Sequence, residues 1–187
     1  LNHCQKISKL IRNKQFYYLG FAVIFGLLVS GYYEQGNVDL EAKVKAAYIY
    51  NFTKFFDWGT YNSENFVIDI LGSSGVLDQL NKIAGKEKVN GKTIIVNKIN
   101  DLSDLEFCNI LFLPNANGDI FNNVLKKTRN KKILIIANSN GFAEKGAGIN
   151  FIQVGDKIKF EINKSAIEEA GIIPNSNIFS IAYKMYE

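Results

Sequence analysis

The chain has 187 residues, 47% of them apolar, which suits one globular domain and an extension. Its net charge of +4 is unevenly placed: Lys6, Lys9, Arg12 and Lys14 precede every acidic residue, and from Glu34 onward 18 basic residues face 18 acidic ones. A neutral domain lacks the basic footprint that nucleic acid demands, so nucleic-acid binding is excluded.

After the basic start, residues 15–33, "QFYYLGFAVIFGLLVSGYY", carry no charge in 19 positions. That length lies between a signal-peptide core and a short membrane helix. We read residues 1–33 as a signal peptide or N-terminal anchor, and 34–40 as a linker to a domain at 41–187. The basic flank places the N-terminus in the cytoplasm, so everything after the run is exported. Cleavage near Val29-Ser30-Gly31 would release the domain; without it, residues 15–33 tether it to the inner membrane. No cysteine directly follows the run, which argues against a lipoprotein. Cys108 is the single cysteine of the exported part, so no intramolecular disulfide is expected there. It reads as a buried thiol.

From Glu41 to Phe56 the pattern is helical. "VKAAYIYNFTKFFDW", residues 44–58, holds six aromatic residues in fifteen. On a helical wheel Val44, Ala47, Tyr48, Phe52 and Phe55 share a face, widened by Ile49 and Phe56. Lys43, Thr53, Lys54 and Asp57 fall opposite. Most of the rings are therefore core. Asn51 falls on the apolar face, where it needs buried hydrogen-bond partners. Tyr50 points to the polar face beside Lys54, and Trp58 ends the helix, partly exposed, with Gly59 after it. Exposed rings in polar surroundings anchor protein interfaces. Tyr50, Lys54 and Trp58 are thus the candidate partner-binding residues, against the plainer reading that Tyr50 packs under a loop or on a second subunit.

"FVIDILG" reads as a strand. Gly72-Ser73-Ser74-Gly75 is a turn that opens the helix "VLDQLNKIAG". This turn is also a candidate ligand-binding cradle, since helix N-termini attract anions. "GKTIIVNKI" is a second strand, Asp101–Glu106 fits one helical turn, and "NILFLP" is a strand buried on both faces. Residues 119–129 are helical and "KKILIIAN" is another buried strand. "INFIQV" and "KIKFEI" alternate on either side of Gly155-Asp156, a type II′ hairpin signal. Asn163, or Ser165 with Glu168, caps a helix that ends at Gly171. Residues 175–186 form a last short helix. Strands alternating with helices imply an α/β three-layer sandwich: a mostly parallel sheet, helices on both faces and a C-terminal antiparallel hairpin.

The domain contains no histidine, since His3 lies before the apolar run. Histidine-based triads and most zinc sites are thereby removed. No phosphate-binding loop is present. Asp101, Asp104 and Glu106 suit cap and surface use, and Glu161 and Glu168 suit cross-strand and cap use. No catalytic constellation, metal site or cofactor is expected. A hydrolase with an acid-only or lysine-based site is a remote third reading.

Several segments carry a family resemblance. Ala47, Tyr50, Asn51, Phe52, Phe55 and Trp58 resemble the opening helix of the YfiR-like family. "CNILFLP" resembles its cysteine-led central strand. "SNGFAEKGAGINFIQVGDKIKFEINKSAIEEAGIIPNSNIFSIA" resembles its C-terminal third. The resemblance implies a non-enzymatic periplasmic α/β protein. It would bind the periplasmic part of an inner-membrane sensor and repress a diguanylate cyclase, lowering cyclic-di-GMP signalling. It also implies a homodimer, and an outer-membrane peptidoglycan-binding protein that sequesters it. The sensor could equally be a histidine kinase. Cys108 matches one family cysteine, but the others are missing, so disulfide-based sensing is not carried over. Gly146-Ala147-Gly148 stands where the family has a glycine pair. The rival reading is a small-molecule-binding periplasmic module that uses the glycine-rich turns at strand ends.

Overall fold

The computed structural model describes residues 38–59 and 63–187. The apolar run at 15–33 and its flanks lie outside the described residues. A compact unit spans Glu41–Glu187.

Helix α1 covers 38–52 and is followed by a short strand β1 (Phe56–Asp57). Then come β2 (Asn65–Leu71), α2 (Val76–Ala84), β3 (Lys88–Val89) and β4 (Lys92–Ile99). A 3-10 turn (Leu102–Asp104) leads to β5 (Ile110–Leu113), α3 (Gly118–Thr128) and β6 (Leu134–Ala137). The hairpin β7 (Ile149–Val154) and β8 (Lys157–Asn163) precedes α4 (Lys164–Glu169). The chain closes with β9 (Ile173–Pro174), α5 (Asn177–Ile181) and β10 (Lys184–Tyr186). Eight strands form one sheet in the order β10-β8-β7-β6-β5-β2-β4-β3. The run β4-β2-β5-β6-β7 is parallel throughout, and β7 and β8 are antiparallel. The expected sandwich is the observed one.

The two faces follow from alternation along β2. Phe66, Ile68 and Ile70 join the core beneath α1 and α2, whereas Val67 and Leu71 turn to the side covered by α3. Buried Phe121 and Val124 of α3 pack on that second side. Ile110–Leu113 and Leu134–Ala137 are buried along their whole length, as strands covered on both faces must be.

Several sequence expectations need correction. Helix α1 ends at residue 52 rather than at Phe56. Its last turn tightens into i→i−3 bonds, with the amides of Thr53, Lys54 and Phe55 donating to the carbonyls of Tyr50, Asn51 and Phe52. Phe56 and Asp57 then pair with Pro174 and Ile173. The buried arc of α1 is Ala42, Lys45, Ala46, Ile49 and Phe52, rotated from the wheel reading. Ala47 and Asn51 are exposed, and Thr53 is buried. The large rings of Tyr48 and Phe55 bias the wheel, while two alanines mark the side where the helix comes closest. Residues 175–186 are split between α5 and β10, which lies parallel to β8 through Lys184↔Glu161.

Turn chemistry was mostly readable. Gly155 has φ +58 in a two-residue connection between Val154 and Lys157. Asp156 does not share the positive φ, as the type II′ turn requires. Asn163 caps α4 by accepting from the amide of Ala166 at 2.8 Å. The β3–β4 hairpin was missed, although Asn90-Gly91, at φ 49 and 80, is a strong type I′ signal.

Two outcomes follow from this packing. A Cβ at Gly148 would lie 2.8 Å from Leu134 Cδ1 and 3.0 Å from Ile167 Cγ1. Gly148→Ala therefore lowers stability by about 1–3 kcal/mol in denaturant melts, an overpacking cost. Asn51→Leu, at an exposed position, changes stability by no more than about 0.5 kcal/mol. A larger loss would mean that the Asn51 side chain is held by the fold.

Candidate functional site

The outer side of α1 is built around Tyr50. The ring is half-buried against the core beneath α1, which fixes its body. Its hydroxyl donates to Glu87 Oε2 at 2.8 Å, and Lys54 Nζ sits 4.4 Å from the ring centre. The hydrogen bond to Glu87, with some loss of solvent, raises the Tyr50 pKa against the opposing effect of Lys54. Tyr50 and Lys54 are therefore together at the surface, as expected from the sequence. Glu87, two residues beyond the Gly85 cap of α2, was not foreseen. It is held at the end of α2, where its amide donates to the Ile83 carbonyl at 2.9 Å. Next to it a groove of about 290 Å³ is lined by Lys43, Gln79, Lys82, Ile83, Lys86 and Glu87. Three of those six residues are cationic, so the local surface is basic although the domain is neutral.

Trp58 lies elsewhere, and its expected partial exposure is corrected. It is 5% exposed, its Nε1 donates to the Thr53 carbonyl at 2.8 Å, and its ring packs edge-on against Phe66 at 5.0 Å and Phe56 at 5.8 Å. Because the helix stops early, the chain past β1 brings Trp58 onto Phe66 of β2 instead of leaving it at a helix end. Of the three candidates, Tyr50 and Lys54 reach the surface, whereas Trp58 is buried.

The glycine-serine turn is divided in the same way. Gly72, at φ +95, lines a cleft at the carboxyl ends of the strands. Ser74 Oγ accepts from the amide of Val76 at 3.2 Å, the first residue of α2. A Cβ on Gly75 would touch Ala42 Cβ at 3.4 Å. Ser73 is exposed between them.

One buried charge was not read from the sequence. Lys45 is 6% exposed within the apolar arc of α1. Its ammonium pairs with Glu41 one turn back, and it donates to Asn138 Oδ1 at 2.6 Å. Asn138 in turn donates to the Pro114 carbonyl at 3.2 Å. The pair pins α1 to the carboxyl ends of β5 and β6. The Glu41–Lys45 spacing was the available signal: an i,i+4 acid–lysine pair inside an apolar stripe.

Cys108 is fully buried and unpaired. Burial, with the neighbouring Asp69 carboxylate, pushes its thiol well above the usual range. Burial also raises Asp69, opposed by hydrogen bonds from Asn97 at 3.0 Å and from Cys108. Asp101 and Asp104 close a capping box around the 3-10 turn. Glu161 lies across from Asn150, whose Nδ2 donates to it at 3.3 Å, and Glu168 pairs with Lys164. Among the described residues no group of three or more His, Cys, Asp or Glu could hold a metal ion.

The family model described as YfiR/HmsC-like matches residues 42–183, most of the chain. The chain belongs to the YfiR/HmsC-like family. The match covers α1 from Ala42 onward, seven of the eight strands of the sheet and the Tyr50 surface, and stops just before β10. No curated protein matches this sequence. A solved structure from Streptococcus pneumonia, described as an ABC domain in complex with L-Trp, is similar at TM-score 0.48 and 14% identity, over 64% of this chain. The chain spans just over half of that protein's length, 55%. Nothing about the ligands of this YfiR/HmsC-like chain follows from that likeness. Among the described residues no helix is long and apolar enough to cross a membrane.

Two measurements check the buried pair. Mass mapping of alkylation at about pH 8 finds Cys108 protected in the native protein and labelled after denaturation; equal labelling in both states would place the thiol at the surface. For Asp69 the folded state holds its proton to higher pH than the unfolded chain. Stability therefore falls as pH rises from the ordinary carboxylate value through the raised folded one. Asp69→Asn flattens that decline in melts run across the acid range, and an unchanged slope would assign the decline to another group.

Proposed function

We propose that this protein is an exported, non-enzymatic regulator that binds the periplasmic part of an inner-membrane signalling protein. The observation that carries the reading is membership of the YfiR/HmsC-like family across residues 42–183. The signalling protein is a diguanylate cyclase, which the bound regulator holds inactive, lowering cyclic-di-GMP output. An outer-membrane peptidoglycan-binding protein is the second partner, and the working form is a homodimer. The basic stretch followed by an uncharged apolar run in residues 1–33 supports delivery to the periplasm, released or tethered.

The contact surface is the outer side of α1: Tyr50 and Lys54, extended by the basic groove that ends at Glu87. Tyr50 suits an anchor because its ring is already ordered by the core, Glu87 and Lys54, so little side-chain entropy is lost on binding. Lys43, Lys82 and Lys86 favour an acidic partner segment and speed its encounter. Trp58 acts indirectly, by holding the segment after α1 in place.

Tyr50→Ala weakens binding to the isolated periplasmic domain of the cyclase about thirtyfold, the effect of removing a hot-spot ring, with a small change in melting temperature. Binding also weakens as salt rises, because surface charges are screened. If Tyr50→Ala melts the domain, or leaves binding intact, the ring belongs to the core. If no inner-membrane signalling protein co-purifies with the wild-type protein, the regulatory reading fails.

A further inference from the structure

The strand order changes direction between β2 and β5: β2 continues to β4 on one side, while β5, β6 and β7 lie on the other. Open α/β sheets bind ligands at such a point, outside the carboxyl ends of the strands. Here a cleft of about 360 Å³ opens at that place, at the small end of the range of ligand sites. Its floor is formed by Leu71 and Gly72 at the end of β2 and Leu113 at the end of β5. Leu102 on the 3-10 turn and Ile120 in the first turn of α3 also line it. Ile120 leaves 40% of its surface exposed there.

Three amide side chains, Asn100, Asn115 and Asn123, ring this apolar slot. Among the described residues none of the three has a hydrogen bond, ion pair or other polar contact through its side chain. Each amide therefore offers a donor pair and an acceptor outward. The other asparagines of this end are occupied: Asn117 caps α3 through Ile120, and Asn138 holds Lys45 and Pro114. Charge narrows the ligand further. No lysine or arginine lines the slot, whereas Asp101 does, and Asp119 occupies the first turn of α3. A phosphate or a free carboxylate would meet acids and no cation there.

We infer that this slot binds a neutral nucleobase or nucleoside, its ring against the apolar lining of Leu102 and Ile120 and its edge read by Asn100, Asn115 and Asn123. An asparagine amide matches a base edge with one donor and one acceptor, as in adenine recognition. The absence of cationic lining residues sets the site apart from one for nucleotides or amino acids. The site lies on different elements from the Tyr50 surface and stands independently of any membrane partner.

Calorimetric titration of the full-length protein with adenosine, guanosine and AMP tests it. Adenosine or guanosine gives saturable binding, and AMP binds no tighter than adenosine. The double variant Asn115→Leu/Asn123→Leu weakens that binding at least about tenfold, the cost of losing hydrogen bonds to the ligand edge. Asn123→Asp, which keeps the shape and removes the donor, weakens it too, and Asn122→Leu, exposed on α3 and outside the slot, does not. All three proteins melt with the wild type. Absence of heat with both nucleosides at millimolar concentration, tighter binding of AMP, or binding untouched by the asparagine variants each overturns the assignment.

Discussion

Phe52 is where the two ends of the domain meet. Its ring lies 4.9 Å from that of Phe160 and 6.1 Å from that of Phe151, so α1 rests directly on the C-terminal hairpin. Tyr48 joins the same cluster at 5.8 Å from Phe52 and 5.7 Å from Phe160. A fully buried phenylalanine contributes roughly 1.5–3 kcal/mol through burial alone. The contact is reinforced one turn on, where the Asn175 amide donates to the Phe55 carbonyl at 2.7 Å and β1 pairs with β9. A helix held this firmly has one face left for anything else, and that face carries Tyr50.

This closure explains which parts of the sequence are recognisable. The aromatic helix and the C-terminal third are far apart in the chain but form one packing unit. Their residues are constrained together: the rings of α1, the hairpin with its Gly155 turn, and Asn163, which both caps α4 and donates to the Ala143 carbonyl at 2.8 Å. Gly148 belongs to the same unit, since Leu134 and Ile167 fill the space where its side chain would stand.

Local rules read the chain well where one interaction decides the outcome. Pro114 and a wholly apolar run made β5 legible, and glycine at a positive φ made the β7–β8 hairpin and the end of α4 legible. They failed where tertiary contacts compete with pattern. The early end of α1 reflects pairing of Phe56 with Pro174, which no local signal announces. Trp58 was misplaced for the same reason. Lys45 was hidden because a charged side chain is read as solvent-facing until Glu41 and Asn138 are seen around it. Of the surface site, Tyr50 and Lys54 were legible from one helix, but Glu87 and the basic groove depend on how α2 is placed beside it. The slot at the strand ends was legible only at Gly72, because its asparagines come from three separate connections.

Among the described residues the interior leaves no buried side-chain polar atom without a hydrogen-bond partner. Its buried polar groups are paired: Asp69 with Asn97 and Cys108, Glu161 with Asn150 and Tyr186. Around the slot, Asn100, Asn115 and Asn123 remain open at the surface. The central claim is that the outer side of α1 meets a membrane signalling protein. Its most direct test is a photo-crosslinking residue placed at Lys54 in living cells, with the same residue at Asn122 on α3 as the control, followed by identification of the captured protein. The account predicts capture, from position 54 alone, of an inner-membrane protein that carries a cytoplasmic signalling domain. Equal capture from both positions, or capture of no such protein from position 54, would contradict it.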